Sequence, residues 1–228
     1  MLNVDLWRRF IETFSAEIET LPVDQLARFW SSHPGRTEFY RRMLPGLATG
    51  LGSLIEEELK PGHELFKVDF AISRNCEDVQ VPIIFIESEN NAFSAYQEIR
   101  KLVNLAAPLR VLITVVQWDE SGIWDGRGGG HRSSLLSDWE KIIRQHQIVW
   151  PRPGVVGILV GEWRPDNWFR FYGYGFGEGH RLAVPNEEVI LRKRVGYEDP
   201  LKALAAIGAD SNLTKPAESI LDSGNIID

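Results

Sequence analysis

The chain has 228 residues and a formal net charge of −7, with 43% hydrophobic and 25% charged residues. These values are typical of a globular protein with one well-developed domain, or one domain with a helical extension. The acidic balance argues against a protein that coats nucleic acid non-specifically, and the single cysteine, Cys76, excludes an intramolecular disulfide framework and a cysteine-based zinc site.

The sequence also bears on where the protein works. No apolar run is long enough to span a bilayer. The first residues lack the order of a signal peptide, in which basic residues precede an apolar core. We therefore expect a cytoplasmic protein with no membrane partner.

Three helices are predicted before the first strand. An apolar stripe at four-residue spacing predicts a helix over residues 4–21. A second helix is predicted over Val23–Trp30, and a third from Thr37 to Leu59, kinked at an internal Pro-Gly pair. We assign residues 1–36 to an N-terminal helical extension.

Two strands that carry acidic residues are predicted next. The first covers Leu65–Ile72 and includes Asp69, and the second is the apolar run from Val81, which leads into Glu87 and Glu89. Because side chains alternate along a strand, Glu87 and Glu89 are predicted to project to the same face. A hairpin between the two strands can place Asp69 beside Glu87.

The remaining elements complete an α/β pattern. In chain order, we predict a helix over Ala92–Ala106, a buried strand over Arg110–Trp118, a mobile Gly-rich loop over 119–132 and a helix over Ser134–His146. Strands are predicted next over Val155–Trp163 and Trp168–Tyr174, followed by a strand or helix over Glu187–Arg194. A helix over Pro200–Ile207 and a flexible tail over 211–228 end the chain. The predicted fold is a central mixed β-sheet flanked by helices, with residues 37–210 as its main domain.

The acidic strands carry the clearest functional signal. Carboxylates on adjacent buried strands are costly unless they share a proton or a cation, so Asp69 and Glu87 predict a divalent-metal site. Glu58 is a further candidate ligand, since helical periodicity places it on the stripe that faces the sheet. Such ligands suit Mg²⁺ or Mn²⁺, and phosphodiester hydrolysis is the natural reaction. The competing interpretation is a strand end whose acids are simply hydrated.

A resemblance to a known family follows from these residues. The order helix–strand–strand–helix–strand over about residues 47–118, with Asp69 and then Glu87-Ser-Glu89 in an apolar strand, resembles the PD-(D/E)XK nuclease superfamily. The resemblance implies a restriction-endonuclease-like core in which Asp69 and Glu87 bind the metal. Val68 departs from the family signature, which has Pro before the acid.

A second departure concerns the catalytic lysine. Glu89 stands where the family usually has Lys, as it does in some restriction enzymes of this fold. Elsewhere in the superfamily the basic residue comes from the following helix, where this chain has Lys101. Either Glu89 or Lys101 would then position or activate the attacking water.

The sequence therefore predicts an Mg²⁺- or Mn²⁺-dependent nuclease acting on DNA, with Arg127 and Arg132 as candidate phosphate contacts. A restriction-type enzyme would act as a homodimer. One alternative is a non-catalytic regulatory or binding protein on the same fold, favoured by the missing lysine and the acidic charge. Another is a carbohydrate-active protein, which requires the aromatic run from Trp163 to Phe176 to line an open cleft.

Overall fold

The computed structural model describes residues 3–178, 180–182 and 189–194. Within these ranges the protein has five α-helices: α1 (Asn3–Thr20), α2 (Val23–Trp30), α3 (His33–Ile55), α4 (Tyr96–Asn104) and α5 (Arg132–Val149). Its strands are β1 (Leu59–His63), β2 (Phe70–Cys76), β3 (Val79–Glu89), β4 (Leu109–Val115), β5 (Val155–Trp163), β6 (Trp168–Gly177), β7 (His180–Arg181) and β8 (Val189–Arg194).

All eight strands belong to one mixed sheet in the order β1-β2-β3-β4-β5-β6, with β7 and β8 both paired to β6. β3, β4 and β5 are parallel, and α4 and α5 connect them. The other pairings are antiparallel. The predicted α/β fold with a mixed sheet flanked by helices is therefore confirmed. The end of the sheet where β3, β4 and β5 finish is called the carboxyl end below.

The N-terminal helices cover one face of the sheet and share its core. Gly157 and Gly161 on β5 leave room for indole rings: a Cβ there would stand 2.3 Å from the ring of Trp7 or Trp30, respectively. The described part of the predicted extension 1–36 is thus packed on the sheet of the predicted main domain, and the boundary at residue 36 falls inside α3. The predicted tail 211–228 and the predicted helix Pro200–Ile207 lie outside the described residues.

Several element boundaries differ from the predictions. α3 begins at His33 instead of Thr37, because the Ser32 hydroxyl accepts a hydrogen bond from the Gly35 amide and caps the first turn. It ends at Ile55, where the next residue adopts a left-handed conformation, so the prediction of a helix to Leu59 was wrong.

The first acidic strand is also displaced from its predicted position. Leu65–Lys67 forms a single 3₁₀ turn, and β2 begins only at Phe70, directly after Asp69. The predicted strand Leu65–Ile72 was therefore wrong over its first five residues. β1 is an additional edge strand, and an edge tolerates its Pro61.

In the described part of the chain, the helices are too short or too polar to cross a membrane.

Candidate functional site

The β2–β3 hairpin brings the two predicted acids together at the carboxyl end of the sheet. Phe70 pairs with Ile86, so Asp69 and Glu87 occupy the next positions along the two strands. The Ser88 amide donates a 2.8 Å hydrogen bond to Asp69 Oδ2. The prediction that a hairpin places Asp69 beside Glu87 is confirmed.

Glu87 is buried on the sheet face that α4 and α5 cover. Its side chain is 2% exposed. Phe85, two residues earlier on the same face, belongs to the core under these helices, whereas Ile84 and Ile86 belong to the core under α1–α3. The strand alternation therefore directs a carboxylate into an apolar layer, where it needs a partner.

Lys101 on α4 is that partner. Its Nζ lies 2.7 Å from Glu87 Oε1 and 2.6 Å from Glu98 Oε2. It also donates a 3.2 Å hydrogen bond to the backbone carbonyl of Lys67. The Lys67 carbonyl accepts a hydrogen bond from Lys101, whereas the two carboxylates are its ion-pair partners.

The turn that supplies the Lys67 carbonyl has a strained backbone. Glu64, Phe66 and Lys67 all have positive φ angles, 52°, 55° and 62°. Such conformations cost about 1–3 kcal/mol each for residues other than glycine and occur mainly where the surroundings enforce them. Buried Val68 anchors the turn to the core, and the Phe66 ring lies 6.0 Å from that of Phe85. The strain is thus located beside the acid pair.

Burial and charge shift the pKa values of this group. Burial is the main cause that raises the pKa of Glu87 to about 7, with further repulsion from Asp69 and Glu98, although Lys101 opposes the rise. Burial lowers the pKa of Lys101, but contacts with Glu87 and Glu98 outweigh it, so the net shift is upward. Lys101 therefore acts as a cation, while Glu87 titrates near neutral pH.

The group has more negative than positive charge. The carboxylates of Glu87 and Glu98 contact the ammonium of Lys101, and Asp69 is close enough to repel Glu87. In the described ranges, no three His, Cys, Asp or Glu side chains are placed so that they could together hold a metal ion. Mg²⁺, however, commonly binds through one or two carboxylates and completes its shell with water and phosphate oxygens. Asp69 and Glu87 are the two carboxylates on which such a smaller site would depend.

The other two predicted acids lie outside the Lys101 contacts. Glu89 is half-buried at the end of β3, and its Oε1 accepts a 2.8 Å hydrogen bond from the Asn91 amide. Glu58 follows the end of α3, with a side chain that is 79% exposed and 3.9 Å from Lys60. The prediction that Glu58 faces the sheet from a helix was wrong, because the helix ends three residues earlier.

The two predicted phosphate contacts differ in their surroundings. Arg127 is exposed on the 119–132 loop. Arg132 begins α5, and its Nε lies 3.7 Å from Glu120. Neither arginine is among the residues in contact with Lys101.

A second buried carboxylate, Glu162, was missed by the sequence analysis. Its Oε1 accepts hydrogen bonds from the Trp118 amide, the Asp119 amide and Trp124 Nε1 at 2.6–2.8 Å. Its Oε2 accepts one from the Tyr172 hydroxyl at 2.8 Å. These bonds tie the start of the 119–132 loop to β5. Glu162 could have been found by the same signal as Glu87, an acid at the end of a buried strand.

Most of the aromatic run from Trp163 to Phe176 is buried, although Trp163 and Trp168 at its start are partly exposed. Phe169, Phe171, Tyr174 and Phe176 are at most 1% exposed, and Tyr172 is 5% exposed. They pack in the two cores on either side of the sheet. These side chains therefore form core, and stacking on a sugar is not available to them.

Comparison with known proteins gives no family for this chain. No protein-family model, curated protein sequence or solved structure matches it.

Proposed function

We propose that the protein is a metal-dependent nuclease whose centre is formed by Asp69, Glu87 and Lys101. The observation that carries the proposal is the position of a buried carboxylate, Glu87, between a second carboxylate and a lysine at the end of a parallel strand. The element order α3-β2-β3-α4-β4 agrees with the order on which the resemblance to the PD-(D/E)XK superfamily rests. Lys101 supplies the basic residue from the helix that follows.

Asp69 and Glu87 would hold the Mg²⁺ or Mn²⁺ ion. Asp69 is only partly buried, and it uses Oδ2 for the Ser88 amide. The charge excess of the group favours a divalent cation, because two carboxylates remain after Lys101 is balanced. Such an ion, when bound, lowers the pKa of a water molecule and neutralises charge on a phosphate oxygen.

Lys101 is suited to positioning and charge stabilisation. Its raised pKa keeps it protonated, so it is a poor proton acceptor. Its Nζ is already close to two carboxylates and bonded to the Lys67 carbonyl, so contact with water or phosphate is easier if one carboxylate moves away. The Glu98 carboxylate, 23% exposed, is the side chain that can turn towards solvent. Glu89, two residues beyond Glu87 on the same strand face, is then the remaining candidate to accept the proton of the attacking water.

The expected substrate is DNA, with Arg127 and Arg132 as contacts to its phosphates. If the enzyme is of the restriction type, a homodimer would cut both strands. A cytoplasmic location, expected from composition, stays a prediction.

The test is cleavage of a mixed panel: supercoiled plasmid, linear duplex, single-stranded DNA and RNA, each with Mg²⁺ and with Mn²⁺. Wild type is compared with Asp69→Asn and Glu87→Gln, and with Glu58→Gln as a matched control that removes an exposed acid. We expect cleavage by wild type and Glu58→Gln only. The distribution of cleavage over the panel identifies the substrate.

A second candidate is a non-catalytic binding protein on the same fold. It is supported by the ion pair between Lys101 and Glu87, which gives the buried carboxylate a cationic partner without a metal ion. Absence of cleavage on every substrate, together with retained binding of one of them, would favour this candidate over the nuclease.

A further inference from the structure

Exposed aromatic rings are concentrated next to the Asp69–Glu87–Lys101 group. In the described ranges, the Phe, Tyr and Trp residues that are largely exposed are Phe66, Phe93, Tyr96 and Trp150, at 66%, 52%, 41% and 54%. Phe66 precedes Asp69 by three residues, and Phe93 and Tyr96 follow Glu89 by four and seven residues. The other described rings are partly or fully buried. The exposure of aromatic rings is therefore mostly a property of the surface beside the proposed centre.

The backbone of the strained turn presents the Phe66 ring to solvent. Phe66 has a positive φ angle of 55°, and its ring meets that of Phe85 nearly at right angles, with 6.0 Å between the centroids. The next residue, Lys67, gives its carbonyl to Lys101. The ring is thus held beside the Glu87–Lys101 ion pair. A strained conformation that leaves an apolar side chain in water is consistent with a role in binding.

A second exposed ring follows the acid pair. The Phe93 amide donates a 3.0 Å hydrogen bond to Asn91 Oδ1, and the Asn91 amide donates to Glu89. The Phe93 ring also contacts the His131 ring, with 4.9 Å between the centroids. Since a chain extends by at most about 3.5 Å per residue, Phe93 lies within about 14 Å of Glu89, and Phe66 within about 11 Å of Asp69. At about 3.4 Å per nucleotide, a few nucleotides span either distance.

The charges of this surface make stacking the main attraction it can offer to a nucleic acid. The carboxylates of Asp69, Glu87 and Glu98 outnumber the ammonium of Lys101, so charge alone does not attract a phosphate backbone here. Exposed aromatic rings, in contrast, stack on bases of any sequence. The bases of a duplex are already stacked on each other, so only unpaired bases can use these rings.

We propose that Phe66 and Phe93 stack on unpaired bases, so that the substrate of the centre is a single-stranded nucleic acid. The word substrate rests on the proposed nuclease function, whereas the stacking can be measured without cleavage. Trp150 lies outside this surface, because α5 begins next to His131 and carries Trp150 about 27 Å away at its other end.

The test measures binding by fluorescence anisotropy in EDTA, which prevents metal-dependent cleavage, and again with Ca²⁺, which carboxylates also hold. The probes are short labelled single strands of DNA and RNA, a DNA duplex of the same length, and an abasic strand with the same number of phosphates. Phe66→Leu and Phe93→Leu keep an apolar side chain but remove the ring, and Phe66→Tyr and Phe93→Tyr keep a ring. Trp150→Leu is the matched control, since it removes an exposed ring elsewhere.

We expect a single strand to bind at least about tenfold more tightly than the duplex and the abasic strand. Each Phe→Leu variant should lose about tenfold in affinity, while the Tyr variants and Trp150→Leu bind like wild type. The proposal is overturned if the duplex or the abasic strand binds as tightly as the single strands, if no probe binds in either condition, or if both Leu variants bind like wild type.

The outcomes separate this proposal from the proposed function. Binding that depends on the two rings, without cleavage of any substrate, would keep the stacking site and reject the nuclease. Cleavage of duplex DNA that is unaffected by Phe66→Leu and Phe93→Leu would keep the nuclease and reject the stacking site.

Discussion

Lys101 Nζ lies 2.7 Å from Glu87 Oε1, and it joins the helix α4 to the end of a strand whose carboxylate is almost fully buried. The contact compensates the buried charge of Glu87 only in part, because the pKa of Glu87 is still raised to about 7, chiefly by burial. Acids with a pKa raised in this way cluster at functional sites, and they also occur in structural ion-pair networks.

The first prediction concerns pH. Glu87 has an ordinary pKa of 4.5 in the unfolded chain and about 7 in the fold. Between these values the folded state binds more protons, so its stability falls as pH rises. In Glu87→Gln this dependence is absent. Urea unfolding should show the stability of wild type, relative to Glu87→Gln, decreasing by on the order of 3 kcal/mol from pH 5 to pH 8. A difference that stays constant over this range would contradict the buried, raised pKa.

The second prediction concerns the partner of Glu87. Lys101→Ala removes the cation next to a buried carboxylate. We expect the free energy of unfolding to fall by about 2 kcal/mol at pH 8. This loss is smaller than for a fully buried ion pair, because the Lys101 side chain is 35% exposed. In the Glu87→Gln background the same change should cost less. Arg100→Ala, an exposed neighbour on α4, is the control and should stay within about 0.5 kcal/mol of wild type. Equal losses in both backgrounds would show that the pair is not coupled.

The third prediction concerns Glu162. Glu162→Gln removes the negative charge that strengthens the hydrogen bonds from Trp118, Asp119 and Trp124, and replaces the oxygen that accepts from the Tyr172 hydroxyl by an amide NH2. We expect a loss of about 3 kcal/mol, whereas Tyr172→Phe, which removes one of the four bonds, should cost about 1 kcal/mol. Chemical denaturation of the two variants checks the order. Similar stabilities for Glu162→Gln and wild type would mean that this network does not hold the 119–132 loop.

The fourth prediction concerns the N-terminal helices. Gly157→Ala places a methyl group against the Trp7 ring of α1 and should cost about 1–3 kcal/mol by overpacking. Gly62→Ala, on the edge strand β1, has its nearest neighbouring atom at 4.0 Å and is the control. Thermal unfolding compares the two. If Gly157→Ala is as stable as Gly62→Ala, α1 does not pack on the sheet as described.

Sequence patterns predicted the order of the elements better than their ends. The apolar run Val155–Trp163 was predicted with its observed bounds, because a buried strand between turn residues has a clear pattern. The turn Leu65–Lys67 was missed, since its left-handed residues are not glycines and carry no local signal. Its conformation depends on contacts with the core and with α4.

The site was predicted to a similar extent. The pairing of Asp69 with Glu87 followed from the spacing of two strands and a turn. The contacts of Lys101 with Glu98 and the Lys67 carbonyl could not be predicted, because they depend on how α4 lies on the sheet. Glu58 failed as a candidate since its assignment relied on a helix end, the least certain feature of a helical pattern.

The central claim is that Asp69 and Glu87 together bind one divalent cation. Titration calorimetry with Mn²⁺ at pH 8, where Glu87 is deprotonated, tests it on the intact chain without any substrate. We predict that wild type and Glu58→Gln bind one Mn²⁺ per chain and that Asp69→Asn and Glu87→Gln bind it at least about tenfold more weakly. If wild type takes up no Mn²⁺ at millimolar concentration, or if Asp69→Asn binds it like wild type, the claim is contradicted.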